Sequence, residues 1–347
     1  MEARPSAPRV YDDLARIIAV WRGRQAWLLG GIIVSLLALA AGVGLMAASG
    51  AMVAAAAATG MIVAPAMLRG LGSSRVVLRY VERLVTHAAT FRALADLRVW
   101  FFRRLSATAA GGLGFRQAGD MLARLVGDVE ALDGLYLRIL VPLAGAALLF
   151  PALVILIGMP DPMLAAAIGA LFLLAAFILP WVAARTTRLA GERLAVAEAG
   201  LRVVALDALT GLREVRAFGA EGRMLAAMQA REASLLSAQH SLAGHTALAG
   251  AAAFLCGQAA VFAVLVAAGT HPTGAIAGAF LVIAAFEAVG GLPRAGALAG
   301  HAAAAARRVL EAADAQVPVP DPTAAAPLPK GHALRFDSVH FCWSPDR

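Results

Sequence analysis

Four long runs of this chain contain no Asp, Glu, Lys or Arg. They are Gln25–Leu68, Ile139–Pro160, Pro162–Ala184 and Ala233–Phe286, of 44, 22, 23 and 54 residues. A helix that crosses a bilayer needs about 20 apolar residues. The two middle runs each fit one crossing, and the first and last each fit a hairpin of two. The pattern predicts an all-α membrane protein with six crossings and outer turns near Ser49–Gly60, Met159–Pro162 and Gly269–Gly274. Pro142, Pro151 and Pro180 read as kinks, which membrane helices tolerate. The polar stretches between the runs, Arg69–Arg138 and Arg185–Glu232, lack proline and keep a helical period. Each reads as two helices leaving the membrane and joined by a short turn. An extension of about 24 residues reaches about 36 Å. The first turn is expected near Gly111–Asp120, where glycines cluster, and the second near Asp207–Arg213, with a break at Thr210–Gly211.

Composition agrees with the pattern. Of 347 residues, 61% are hydrophobic and 15% charged. The mean hydropathy is +0.76, too apolar for two soluble domains of this length. The net charge is +8, and Lys330 is the only lysine. In a soluble protein such a charge would raise nucleic acid as a partner. Here the lipid bilayer is the partner and no nucleic acid is expected, because the distribution of charge accounts for it. Every basic residue falls within 1–24, 69–138, 185–232 or 287–347, and none in the three outer turns. Positive charge accumulates on the cytoplasmic side, so both termini are placed in the cytoplasm. The run after Arg24 is longer than the 7–15 apolar residues of a signal peptide, so it reads as a retained helix. Val10–Arg24 suits an amphipathic elbow helix at the inner interface. Cys256 and Cys342 are the only cysteines, one in a crossing and one in the tail, and no disulfide framework is expected.

Arg75, Arg79, Arg83 and His87 recur every four residues in the predicted second crossing. Such spacing lays side chains along one side of a helix. Ionisable groups in a membrane are costly unless they face a bundle interior, a wet cavity or a partner. A positive row on an inner wall is a route or site for something anionic. The competing roles are pairing with Glu82 and contact with lipid phosphate. The charge count places this row on the cytoplasmic half of its crossing. Glu287, in the sixth crossing, is either a substrate or proton contact or, as we favour, the ion-pair partner of a second-crossing arginine. His240, His245, His271 and His301 have no spacing that builds a metal site.

Six crossings with two long inner hairpins resemble the transmembrane domain of exporter-type ABC transporters (type I exporter fold). Gly119–Asp133 (GDMLARLVGDVEALD) is similar to the family's element after its first coupling helix. Leu209–Glu221 (LTGLREVRAFGAE) is similar to its second coupling helix, and Ala333–Arg347 (ALRFDSVHFCWSPDR) to the opening strand of its nucleotide-binding domain. Residues 79–98, 128–146 and 284–293 resemble more narrowly the C-subunit family (CydC) of the heterodimeric thiol-reductant exporters required for cytochrome bd biogenesis. One departure is Ala51, where that family usually has Trp. The implied plan is a cytoplasmic N-terminus with its elbow helix (1–24), the six-helix domain (25–314), a linker (315–332) and the first strand of a nucleotide-binding domain (333–347).

The resemblance implies a location in the bacterial inner membrane, a CydD-like partner subunit and ATP use through nucleotide-binding domains. It implies two substrate classes: small thiols (glutathione, cysteine) moved outward, and haem b, carried or bound as a regulator. His87 with Arg83 suits haem, since imidazole ligates iron and a cation pairs with a propionate. Otherwise His87 is a structural histidine. Arg75 and Arg79 suit carboxylates of either class, and Tyr80 adds an aromatic wall. Phe115, Arg116 and Asp120 in the first turn, and Leu209 and Arg213 in the second, are the residues expected to meet the motor. Trp343 stands where the family stacks a ring on adenine; in this chain a plain strand role is favoured. No G-x-x-x-x-G-K-[ST] loop occurs, and Lys330 lies in the linker, so this chain by itself is not expected to hydrolyse ATP. A six-span secondary transporter and a non-transporting scaffold are the rival readings.

Overall fold

The computed structural model describes residues 10–60, 65–108, 127–267, 272–314, 331 and 336–339. Helix α1 (Val10–Val20) leads through a 3-10 turn (Trp21–Arg24) into α2 (Gln25–Thr59). Gly60 ends α2 at φ +69°, and its N–H donates to the Ala56 carbonyl. Such a left-handed cap suits glycine, which has no Cβ to clash. The antiparallel helix α3 (Pro65–Thr108) has 44 residues and is about 66 Å long. A single helical turn (Val129–Ala131) precedes α4 (Leu135–Gly158), and Asp161 caps α5 (Pro162–Thr186). Its Oδ1 accepts from the N–H groups of Met163 and Leu164, each at 3.0 Å. Then come α6 (Arg188–Thr210), the short α7 (Leu212–Ala217), α8 (Glu221–Ala267), α9 (Pro272–Val289) and α10 (Leu292–Ala313). No strand occurs among the described residues.

Two of the expected kinks have a visible form. A π-turn at Leu135–Leu140 precedes Pro142, and another at Leu174–Ile178 precedes Pro180. Proline lacks an N–H and crowds the carbonyl four residues back, so the ladder widens there. Pro151 lies inside the α-helical part of α4.

Among the described residues, five stretches are long and apolar enough to cross a membrane: Asp13–Thr59, Leu135–Gly158, Pro162–Thr186, Glu221–Ala267 and Gly274–Ala313. Helix α3 is too charged to join them by composition, yet it runs beside α2 along most of its length. Arg24 pairs with Asp96, an added Cβ at Gly31 would touch Thr86, Ser35 donates to Glu82, and Arg75 lies over Gly42. It therefore covers the same depth and supplies the sixth crossing of an all-α exporter fold.

This register corrects two sequence expectations. The reversal expected over Ser49–Gly60 lies only at its far end. Ser49 stays helical and donates to the Leu45 carbonyl at 2.7 Å. Gly50 is pressed against α9, where an added Cβ would come within 2.7 Å of Phe280 Cβ. That contact holds α2 straight past the expected turn. Consequently Arg69, counted with the inner charges, sits one turn after Pro65, near the Gly60 end.

Two cores hold the bundle. One is built from α4, α5, α8 and α9, around Phe172, Ile168, Val282 and Ala260. The other lies at the Arg24 end, where α1, α3, α4 and α10 enclose Trp21, Leu97, Phe101, Leu132 and Val309. Ile17 and Trp21 are buried in it, so the apolar side of the elbow helix faces protein there. Arg16–Asp314, Arg307–Asp13 and a bidentate Arg308–Asp128 pair ring this second core. By contrast, α6 and the first half of α8 form an arm with almost no buried side chain.

Candidate functional site

The depth of the basic row follows from the helix register. Gly145 on α4 lies opposite Leu39, where an added Cβ would be 2.9 Å from Leu39 Cδ2. Gly145 is ten residues from Leu135 and thirteen from Gly158, the two ends of α4. At 1.5 Å per residue those ends are about 15 and 20 Å away. Leu39 thus marks the middle of the apolar layer. Around it lies a cavity of 320 Å³, lined from α2 by Ala38, Leu39, Gly42, Val43 and Met46. Helix α3 contributes Arg75 and Arg79 to it, and α9 contributes Glu287.

The row therefore does not stay on one half of its crossing. Arg75 and Arg79 sit near mid-depth, and Arg83 and His87 descend toward the Arg24 end. Counting charges had placed the whole row on that half. The reason for the difference is local: the arginines face a cavity between three helices, where charge is tolerated inside a crossing. Gly42 makes room for one of them. A Cβ built there would lie 3.4 Å from Arg75 Nε, so the guanidinium rests directly on α2.

Neither arginine forms an ion pair with Glu287 within 4.0 Å. The carboxylate that α3 does use is Glu82. It approaches Arg79 Nε at 3.6 Å, accepts from Ser35 Oγ at 3.4 Å, and its side chain is only 16% exposed. Arg79 is 78% exposed and keeps most of its donors open. A second hollow, of 610 Å³, opens on the other side of the row and brings together Arg75, Arg79, Tyr80 and Arg83 with Val76, Gly72 and Leu45. His87 lies one turn beyond, exposed, with its ring centroid 6.0 Å from that of Phe91. Tyr80 and Phe91 are also largely exposed, at 66% and 64%. The result is a face of α3 that carries three guanidinium groups, with one imidazole and two aromatic rings at and beyond its Arg83 end.

Glu287 also borders a further cavity, of 430 Å³, between α8 and α9, whose walls include Gly250, Phe254, Gly257, Gln258 and Phe286. Gln258 escaped the sequence reading because it lies in a charge-free run. An amide inside a predicted crossing was the available signal. In sequence Glu82 reads only as a partner of Arg79 and Arg83, and its tie to Ser35 depends on a register that sequence does not reveal.

The remaining residues lie elsewhere. Leu209 is 71% exposed on the last turn of α6, and Arg213 is exposed on α7, both at the tip of the arm. Phe115, Arg116, Asp120 and Trp343 lie outside the described residues, as does Cys342. Cys256 is buried in α8. No cluster of three His, Cys, Asp or Glu side chains suits a metal ion among the described residues. Haem brings four nitrogens of its own, so one exposed imidazole with a cation and aromatic rings beside it is a fitting donor set.

Comparison with known proteins agrees with this architecture. The ABC transporter transmembrane region matches residues 25–273. The chain is 32% identical over 336 residues to the Escherichia coli glutathione/L-cysteine transport system ATP-binding/permease protein CydC, covering 92% of this chain and 59% of that protein. It is 33% identical over 200 residues to the Haemophilus influenzae protein of the same description, covering 56% of this chain and 35% of that one. A Bacillus subtilis CydD of that transport system is 36% identical over 91 residues, or 26% of this chain and 16% of that protein. The chain thus spans about three-fifths of the length of its Escherichia coli relative. With six helices side by side, two of them carrying an arm away from the bundle, and a family match over most of its length, the chain belongs to the ABC transporter transmembrane-region family, as a CydC-like exporter domain.

Proposed function

We propose that this chain is the membrane half of one subunit of an ATP-driven exporter that moves glutathione and cysteine across the bacterial inner membrane. The observation that carries the reading is the mid-depth cavity in which Arg75, Arg79 and Glu287 meet. Both thiols bear carboxylates, and guanidinium groups bind carboxylates with paired N–H donors. The description of the Escherichia coli relative as a glutathione/L-cysteine transport protein supports the same class.

The partner is a CydD-like subunit, and ATP acts through nucleotide-binding domains supplied by the full-length proteins. Both chain ends face the cytoplasm, in line with the bias of Arg. Motor closure pushes on the 111–120 and 207–213 turns. In the second arm, α6 and α8 transmit that motion toward the α8–α9 walls of the cavity, giving alternating access. Haem fits the outer face of α3: His87 would hold the iron, and Arg83, with Tyr80 and Phe91 beside it, would hold the propionates and the ring edge. When bound there, haem would supply an iron centre serving cytochrome bd assembly as cargo or as regulator.

The test is transport by the full-length heterodimer in inverted membrane vesicles. ATP-dependent, vanadate-sensitive accumulation of glutathione and cysteine is expected. Vesicles that hydrolyse ATP yet accumulate neither thiol would refute the reading, and accumulation driven by an ion gradient without ATP would favour a secondary transporter.

A further inference from the structure

The 320 Å³ cavity holds two cationic side chains and one anionic side chain, with no ion pair joining Glu287 to either arginine. Its volume is at the lower end of small-molecule sites. Arg75 is braced on Gly42, and Arg79 has its lower edge turned to Glu82. Glu287 comes from a different helix, α9, and also borders the 430 Å³ cavity that contains Gln258. If the arginines alone were the site, a carboxylate facing them from α9 would weaken it for any purely anionic ligand. An ordinary structural counter-ion would sit within 4 Å of a guanidinium, and Glu287 does not.

We infer that Arg75, Arg79 and Glu287 form a single α-amino-acid site, in which the arginines take a carboxylate and Glu287 takes the ammonium group of the same ligand. The inference rests on the thiol-export reading and adds its recognition rule. A zwitterion leaves none of the three charges opposed. A dicarboxylate without an ammonium leaves Glu287 facing like charge at mid-membrane depth. Glu287 is thus a specificity element against the second ligand class. Porphyrin propionates are excluded from this cavity and directed to the Arg83–His87 face, one to two turns away on α3. One helix therefore carries two sites that share Arg75 and Arg79 in their walls and differ in the carboxylate that only the first contains.

L-cysteine and 3-mercaptopropionate differ only by the ammonium group, so they test the rule directly. Uptake of each is measured in inverted vesicles holding the full-length heterodimer, for wild type, Glu287→Gln and Glu287→Asp. A partly open site should favour cysteine at least about 10-fold, less than a fully enclosed amine site would give. Glu287→Gln should bring the ratio within about twofold of unity, by loss of cysteine and gain of 3-mercaptopropionate. Glu287→Asp should keep a preference, which shows that the fold tolerates change at this position. A purely structural role would lower both thiols together and leave the ratio intact; that result overturns the site. A wild type that moves both thiols equally overturns it too. A wild type that moves neither overturns the thiol function itself, and this site with it.

Discussion

Replacing Arg308 by Gln removes the best-formed charge pair of the second core. Arg308 Nη2 lies 2.6 Å from Asp128 Oδ1, and Nε lies 3.0 and 3.1 Å from its two oxygens. The Asp128 side chain is 13% exposed and that of Arg308 32%. Breaking a fully buried pair from one side costs about 3–5 kcal/mol, because the other charge is left without a partner. Water reaches about a third of Arg308, so the loss here should be nearer 2 kcal/mol. That is roughly a 30-fold change in the folding equilibrium. The pair matters mechanically as well. Asp128 begins the turn into α4, and Arg308 lies on α10, the continuation of the last crossing. The bridge fixes the entry to α4 to that crossing.

A double-mutant cycle measures it. Arg308→Gln, Asp128→Asn and the double variant are unfolded by SDS titration in mixed micelles, with the full-length heterodimer. Each single change should cost about 2 kcal/mol, and the double change much less than the sum, because neither charge remains unpaired. A coupling of about 1–2 kcal/mol is expected. Losses that add to within about 0.5 kcal/mol would show that the two side chains act independently, and would refute the bridge.

Three further outcomes follow from the geometry. Gly50→Leu forces side-chain volume into Phe280 and the Ala277 backbone, 3.1 Å from an added Cβ, so it should destabilise the α2–α9 contact by about 1–3 kcal/mol in the same titration; an unchanged midpoint would contradict the close approach. The Arg24 guanidinium, hydrogen-bonded to Asp96 at 2.7 Å, holds that carboxyl below its usual range. Its stabilisation is therefore full above the unfolded value of about 4 and lost as pH falls through the lower folded value; Asp96→Asn should erase this acid-side dependence, and an unaltered pH profile would count against the pair. His87→Ala should abolish the Soret shift produced by added haem while Tyr80→Phe retains it, and a Soret band unchanged in His87→Ala would remove His87 as the ligand.

The helical character of the chain was legible from its runs of uncharged residues, because the cost of burying charge in lipid is large and local. So were the helices that follow Asp161 and the apolar stretches of α4, α5, α8 and α9. The start of α3 was not. Leu68 looked like the end of an apolar run only because Arg69 follows, yet α3 keeps going through Arg75, Arg79 and Arg83 beside α2. A charge count treats every arginine as a vote for the cytoplasm. Whether an arginine meets water, lipid phosphate or a cavity depends on the neighbouring helix, and Gly42 under Arg75 carries no such label in the sequence. The Arg308–Asp128 bridge was hidden for the same reason: 180 residues separate its partners.

That misplacement bears on mechanism. If the whole row lay at the cytoplasmic edge, its arginines would meet lipid phosphate or catch anions at the entrance, and Glu287 would stand apart from them. With Arg75 and Arg79 at mid-depth, the same residues share a cavity with α9, which leads through Gly290–Gly291 into α10. Ala284, Glu287 and Ala288 on α9 face the arginines, while Phe286 and Val289 pack in the apolar core. Rotation of α9 by even part of a turn would carry Glu287 from the arginine cavity toward the Gln258 cavity, since it already lines both. On the proposed function, a helix whose one carboxylate borders two cavities, and which continues into the segment tied to Asp128, is where motion of the arm and occupancy of the site would meet. On the proposed function, binding and gating would fall on the same helix, so variants at Glu287 should alter the dependence of ATP hydrolysis on cysteine, whereas Gly50 variants should alter stability alone.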